Sequence, residues 1–357
     1  MANYNQVNLT PKELILNCSQ IGLKILSQNK NMPSGHNGPY LDPETPVRNN
    51  AHWAMLFIKS FSLTEDEEYL LAAKKCINFL KETINDNYMF ECRTKEGKDS
   101  VNGLIGQAWA IEPFGFIQKY EEDLQALELG INLIKSHKYD ETKSLWLKNN
   151  LEGYSDNLDF TFNHQLWFTA VASKLGKYDQ KIDSICRDFL ENIEKNIQIH
   201  KSGRIIQSVR INFFESSFKP FLKKVIRKKQ YNYNLYKEIG YHAFNTYAFG
   251  LLYNSFPNHF FWDTNSFKKI IKFLNSADYL EKIYESKYGF PYNPPGIEVL
   301  ATSIIFQDKY NFNSEIIKHL WDHQMKMSIN KENGLFVEGS FDKNTHMARA
   351  YEAVLCL

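Results

Sequence analysis

With 357 residues, 43% of them hydrophobic and 15% aromatic, the chain can bury a large core, and no Pro/Gly/Ser-rich linker divides it, which predicts one domain over 1–357. Forty-two Lys and Arg against 41 Asp and Glu leave a formal charge of +1, which excludes a general nucleic-acid binder working through a basic surface. No apolar run reaches the ~20 residues of a membrane span, and the first residues lack the basic and apolar regions of a secretory signal, so a cytoplasmic protein is expected.

Along the chain, two kinds of helical segment alternate. Thr10-Pro11-Lys12-Glu13 reads as a capping box opening an amphipathic helix. The box Asn49-Asn50-Ala51-His52-Trp53 then leads an apolar run over 51–61. Thr64 with Glu67 repeats the capping pattern; Tyr69, Leu70, Ala73, Cys76, Ile77 and Leu80 follow at helical spacing, with Lys74, Lys75, Asn78 and Lys81 on the other side. Gly106-Gln107-Ala108-Trp109 leads a second apolar run over 108–117, and Asn163-His164-Gln165-Leu166-Trp167 a third over 166–172. Tyr241-His242-Ala243-Phe244-Asn245 leads the run 243–253, followed by Pro295-Gly296-Ile297-Glu298 and Thr345-His346-Met347-Ala348-Arg349. Further solvent-facing helices are expected at about 121–138, 178–196, 264–284 and 313–329.

The boxes recur every ~50–60 residues, once nearer ~80, as one repeated structural unit does. A helix that is apolar all round is buried on every side. Six such helices alternating with six amphipathic ones predict an all-α (α/α)6 toroid, an inner ring enclosed by an outer one, closed where the segment from Thr345 packs beside the first outer helix.

Short glycine and aromatic connections at 35–40, 87–90, 201–204, 288–292 and 333–336 precede the boxes and are read as small β-hairpins over one face. A pocket is expected at that face. Six inner-helix N-termini would aim free amides at it, favouring an anionic group. The long interval holds a probable insertion or flap at 208–236, with Lys219, Lys223, Lys224, Arg227, Lys228 and Lys229 followed by Tyr231, Tyr233 and Tyr236. It reads as a solvated basic helix or as a flap drawing in an acidic glycan or lipid phosphate. Five dispersed cysteines without a CxxC pair point to reduced thiols and no sulfur-bound zinc, and no HxH or HExxH spacing supports another metal site. No cofactor is implied.

These boxes, above all Asn102-Gly103-Leu104-Ile105-Gly106-Gln107-Ala108-Trp109-Ala110-Ile111-Glu112, Tyr241-His242-Ala243-Phe244-Asn245 and Asn293-Pro294-Pro295-Gly296-Ile297-Glu298, resemble the six-hairpin glycosidase-like superfamily over nearly the whole chain. They look most like proteins of glycan-assembly gene clusters. The resemblance implies a role in a surface-polysaccharide or protein-glycosylation pathway; an anionic sugar or oligosaccharide is the expected partner, with a lipid-linked or nucleotide-linked carrier left open. The superfamily includes hydrolases, lyases and epimerases, so fold does not choose the reaction.

Three functions stay open. For proton abstraction, Asn163-His164 is similar to the Asn-His element of toroidal polysaccharide lyases. There Asn163 would neutralise a uronate carboxylate, His164 act as base, Tyr241 as acid, and Arg349 or Arg48 hold the carboxylate. His242 and His346, from two inner helices, would serve as paired acid and base in an epimerase. The second function, glycoside hydrolysis, needs two carboxyl groups, for which Glu112 and Glu298 stand ahead of Glu352, Asp42 and Glu44. Glu112, next to Pro113, can instead pair with Arg349. His52, Trp53, Gln107, Trp109, Trp167 and Asn245 are read as substrate contacts, and Trp262 as core. The third function is a glycan-binding or scaffold protein without turnover.

Overall fold

The computed structural model describes residues 9–154, 157–210 and 233–356. Its helices are α1 (Pro11–Gln28), α2 (Val47–Thr64), α3 (Glu67–Thr83), α4 (Gly103–Ile117), α5 (Leu124–Ser136), α6 (Phe162–Gly176), α7 (Gln180–Glu191) and α8 (Ile193–Asn196). They continue with α9 (233–240), α10 (His242–Ser255), α11 (Asn265–Leu274), α12 (Ala277–Ile283), α13 (Pro295–Ile305), α14 (Ser314–Ser328) and α15 (Lys343–Ala348), which runs on as a 3-10 segment, Arg349–Cys356.

Apolar patterning sorts these helices into two rings. In α4 every residue except Phe116 is buried, whereas α7 buries only the stripe Ile182, Cys186, Phe189 and Leu190. Helices α2, α4, α6, α10 and α13 pack on one another in that order, and the 3-10 segment with α15 returns to α2. Outside them, α1 and α3 lie on α2, α5 on α4, α7 on α6, α11 on α10 and α14 on α13, and α1 also touches α15. This is the (α/α)6 toroid. The α1–α2 contact is close enough to require glycine: a Cβ on Gly22 would lie 2.2 Å from the Trp53 ring.

Local details follow the caps. Thr10 and Glu13 form the expected capping box. Thr64 does not open α3, because α2 runs through it and ends at Glu65, whose φ of 58° reverses the chain; Asp66 caps α3 by accepting from the Glu68 amide. The stretches 178–196 and 264–284 each contain two helices, since Asn192 and Ser276 redirect the backbone.

Among the connections, β1 (His36–Asn37) and β2 (Asp42–Pro43) form an antiparallel hairpin. Residues 201–204 and 333–336 lie within the turns of the Ile199–Ile205 and Ile329–Phe336 bridges. Residues 87–90 and 288–292 make turns without strand pairing. A three-stranded sheet of β3 (Tyr139–Asp140), β4 (Leu145–Lys148) and β5 (Asn157–Leu158) was not anticipated; strands of two to four residues carry no readable alternation. The basic run of the long interval, with Tyr231, lies outside the described residues.

The recurring boxes have a shared structural task. Asn50 accepts from the Met32 amide and donates to the Met32 carbonyl. Gln107 makes the same double bond to Phe90, and Gln165 to Trp146. In the fourth repeat His242 accepts from the Ile205 amide. Each of these four boxes therefore clasps the backbone of the connection that precedes it, satisfying buried donors and acceptors that no strand partner reaches.

Candidate active site

Because the clasps draw the connections over the N-terminal ends of the inner helices, a cavity of about 220 Å³ forms there. Asn37, Tyr40 and Asp42 reach it from the β1–β2 hairpin, Arg93 and Lys98 from the connection before α4, and Asn102 and Trp109 from α4 itself. Asn163 and His164 of α6, Lys237 of α9, Tyr241 just before α10, Phe244 within it, and Tyr292 and Asn293 before α13 add to the wall.

His164 turns into the cavity together with Asn163 of the same box, and it does not act alone. Its Nδ1 lies 2.7 Å from Oδ2 of Asp159, a buried carboxylate that also accepts from the Leu104 and Thr161 amides. Burial by itself would raise the Asp159 carboxyl, but the His164 charge and hydrogen bond, aided by the two amides, hold it down at about 2. An ionised carboxylate only accepts, so Nδ1 carries the proton of this hydrogen bond, and in the neutral imidazole the lone pair then belongs to Nε2. Gly103 makes room for the pair: its φ is +57°, and a Cβ there would sit 2.4 Å from Asp159 Oδ2 and 2.9 Å from His164 Nδ1.

Around this dyad stand complementary groups. Asn163 is buried, and its Oδ1 has no hydrogen-bond partner among the described residues. Tyr241 is held well above the ordinary tyrosine range by burial and by the neighbouring Tyr292 and Tyr40, so it stays a proton donor. Lys237 lies 5.7 Å above the Tyr40 ring and 5.9 Å above that of Tyr241, and burial pushes its ammonium down. Arg93 and Lys95 engage Asp42, leaving Lys98 and Lys237 without a carboxylate partner among the described residues. The cavity is therefore cationic.

Trp109 and Tyr292 separate this cavity from a smaller chamber of about 10 Å³, the space of roughly one water. Arg48, His52, His346 and Arg349 line it. Arg48 donates to the His36 carbonyl at 2.9 Å, lies 2.6 Å from Glu44 and stacks 5.5 Å above Trp109. Arg349 bridges Glu298 and Glu352, both at 2.7 Å, and donates to Asn293. Burial, then Arg48 and Arg349, push His52 far below its usual range; burial and Arg349 push His346 down to about 3. Both imidazoles are neutral.

Of the residues singled out in the sequence, the structure thus gathers Asp42, Asn163, His164, Tyr241 and Trp109 in one cavity and sets Arg48, His52, His346 and Arg349 behind it. The others lie elsewhere. His242 is enclosed, its Nε2 3.2 Å from the Ile270 carbonyl and its Nδ1 occupied by the clasp, so it does not face His346 across a cavity. Gln107 is a clasp. Trp53 packs under α1, and Trp167 stacks on Phe244 and Tyr247, both fully buried. Asn245 is buried within α10.

The two carboxyls proposed for hydrolysis do not flank the cavity. Glu112 accepts from Tyr351 at 2.9 Å, and burial raises it to about 7; its partner is not Arg349, which holds Glu298 and Glu352 instead. Burial, with the neighbouring Glu352 charge, likewise raises Glu298 against the lowering effect of the Arg349 guanidinium. Asp159 was missed because its role depends on contact with His164; the Asp-x-Thr spacing before a helix was the available signal. Among the described residues no group of three or more His, Cys, Asp or Glu could hold a metal, and no helix is long and apolar enough to cross a membrane.

Fold and cavity define an (α/α)6 toroid with a pocket at one end, a fold that solved carbohydrate-processing enzymes share. A sugar epimerase from a ruminal bacterium superposes with a TM-score of 0.67 at 14% identity, over 97% of this chain and 98% of that one. An unsaturated glucuronyl hydrolase specific for heparin gives 0.61 at 11% identity, over 96% and 95%. No family model matches the chain. The chain belongs to the family of archaeal glycosylation protein Q: it is 32% identical over 359 residues to the Haloferax volcanii protein of that name, covering 96% of each.

Proposed function

We propose that the protein is a carbohydrate-active enzyme of a glycan pathway that abstracts a proton from a ring carbon of an anionic, uronate-like sugar. The observation carrying this reading is the Asp159–His164 dyad opening on a cationic cavity. A proton beside a carboxylate becomes removable when the developing enediolate is stabilised and a base lies within reach. His164 Nε2 takes the proton, the electron pair moves into the substrate carboxylate, and Lys98, Lys237 and the Asn163 amide stabilise that charge. Tyr241 then donates its phenolic proton to the same carbon, giving an epimer, and the phenolate recovers the proton given to His164 through solvent. If instead the electron pair returns to form a double bond to the next carbon, the oxygen substituent there departs with its own bonding pair and takes the Tyr241 proton, and the product is unsaturated, as in a lyase. Kinship with a glycosylation protein and the fold shared with a sugar epimerase support this class of substrate.

The test is incubation with uronate-containing oligosaccharides, free and carrier-linked, in deuterated water. Deuterium at a ring carbon is expected, with inverted configuration marking epimerase and an unsaturated product marking lyase. Cleavage without ring deuteration sinks the proposal in favour of hydrolysis. Binding without turnover sinks it in favour of a glycan-binding protein.

A further inference from the structure

The opposite end of the ring carries a second cavity, of about 800 Å³, that the chemistry above does not use. It lies between the C-terminal ends of α4, α6 and α10 and the start of α7, on the order of 20 Å along α4 from the sugar cavity. Lys119, Lys174, Lys177 and Arg187 line it, against one carboxylate, Asp183, which Arg187 already engages at 2.6 Å. Lys59 stands behind its Phe116 wall, 4.7 Å from that ring.

Helix C-termini attract cations, and each of the three brings about half a negative charge. Lys174 answers one of them directly, donating to the Leu251 carbonyl at 2.7 Å. The three half-charges still fall short of the lysines and arginine present. Lys119 and Lys177 have no carboxylate within ion-pair distance among the described residues and lie instead over the rings of Tyr120 and Tyr178. The lysines also act on one another: burial, opposed by Glu112 and aided by Lys119, brings Lys59 down to about 8, and burial followed by the Lys59 and Lys177 charges brings Lys174 down to about 8. Like charges gathered around a cavity, with the Ser173 and Ser255 hydroxyls at its wall, are the arrangement that a multiply charged anion relieves.

We infer that this basic cavity is a second ligand site, which takes a phosphoryl-bearing anion at the end of the ring opposite the sugar cavity. Its volume exceeds that of a single phosphate, so a pyrophosphate fits, whether carried by a soluble ester or by a lipid headgroup.

Calorimetric titration of the full chain with inorganic pyrophosphate tests the assignment. Saturable binding is expected, with Kd below about 1 mM and proton uptake near pH 8 as the lysines regain their charge. The paired substitution Lys119→Glu and Lys177→Glu, at two exposed positions, weakens binding at least ~10-fold without changing the melting transition. Lys98→Ala, in the sugar cavity, leaves it unchanged. Co-sedimentation with phosphatidylcholine vesicles that contain phosphatidic acid, and not with those that lack it, marks the lipid as source; binding of pyrophosphate alone marks a soluble ester. The inference is overturned if neither probe binds, if the paired variant binds pyrophosphate as the wild type does, or if Lys98→Ala is the change that abolishes binding.

Discussion

His164 is set apart from the other box histidines by a single neighbour. His242 gives its ring nitrogens to backbone groups, and His52 and His346 are enclosed without charge, whereas His164 gives only Nδ1 to Asp159 and keeps Nε2 for the cavity. Asp159→Asn should therefore leave the fold intact, release the tautomer, and lower turnover by at least ~10²-fold, the lower range for a general base. Turnover in steady-state assays with an unchanged melting temperature would bear this out; undiminished turnover would remove the dyad from the mechanism. Gly103→Ala should act on the same pair from the other side, through its positive φ and the Cβ contacts with Asp159 and His164. Loss of activity with destabilisation of about 1–2 kcal/mol is expected, read from parallel kinetics and denaturant unfolding.

Elements are held by the clasps more than by strands. Gln107 satisfies both backbone groups of Phe90 and donates a further bond to the Val101 carbonyl. Replacing it by Leu would orphan buried polar groups that cost ~1–3 kcal/mol each, so a loss of at least ~2 kcal/mol is expected in denaturant unfolding. A stability unchanged by Gln107→Leu would show that water substitutes for the clasp. At the α1–α2 contact, Gly22→Ala should overpack Trp53 and cost ~1–3 kcal/mol while sparing the kinetics, because Trp53 lines none of the three cavities.

The whole molecule closes around a buried polar axis, and its stability should register the protonation of that axis. Burial raises Glu112 from 4.5 to about 7, so the folded state keeps a proton that the unfolded chain gives up. Its contribution is fully present below pH 4.5 and is lost as the pH rises through about 7. His242 and His346 work in the opposite sense: lowered to about 3, they withhold stability as the pH falls below 6.5. Glu112→Gln, which mimics the protonated carboxyl, isolates the first trend. The difference in melting temperature between variant and wild type should grow in the variant's favour from pH 4.5 to 7, and a difference that stays constant would mean that Glu112 does not carry the proton.

Helical periodicity, caps and recurrence were enough to read the toroid from the residues alone, because each inner helix is apolar all round and each outer one on a single stripe, which leaves two concentric rings as the layout that buries both. The end of the ring bearing the cavity, and within it Asn163, His164, Tyr241 and Trp109, were legible for the same reason: they stand where inner helices begin. What periodicity cannot convey is which polar residue meets a backbone group and which meets the cavity. Gln107 and His242 turned out to be clasps, Glu298 a partner of Arg349, and Asp159 the partner of His164, since each depends on contacts between segments remote from, or turned out of line with, one another. The sequence alone determined the architecture through local spacing; side-chain roles were decided only by the tertiary structure, because burial and hydrogen-bond satisfaction are properties of the assembled ring.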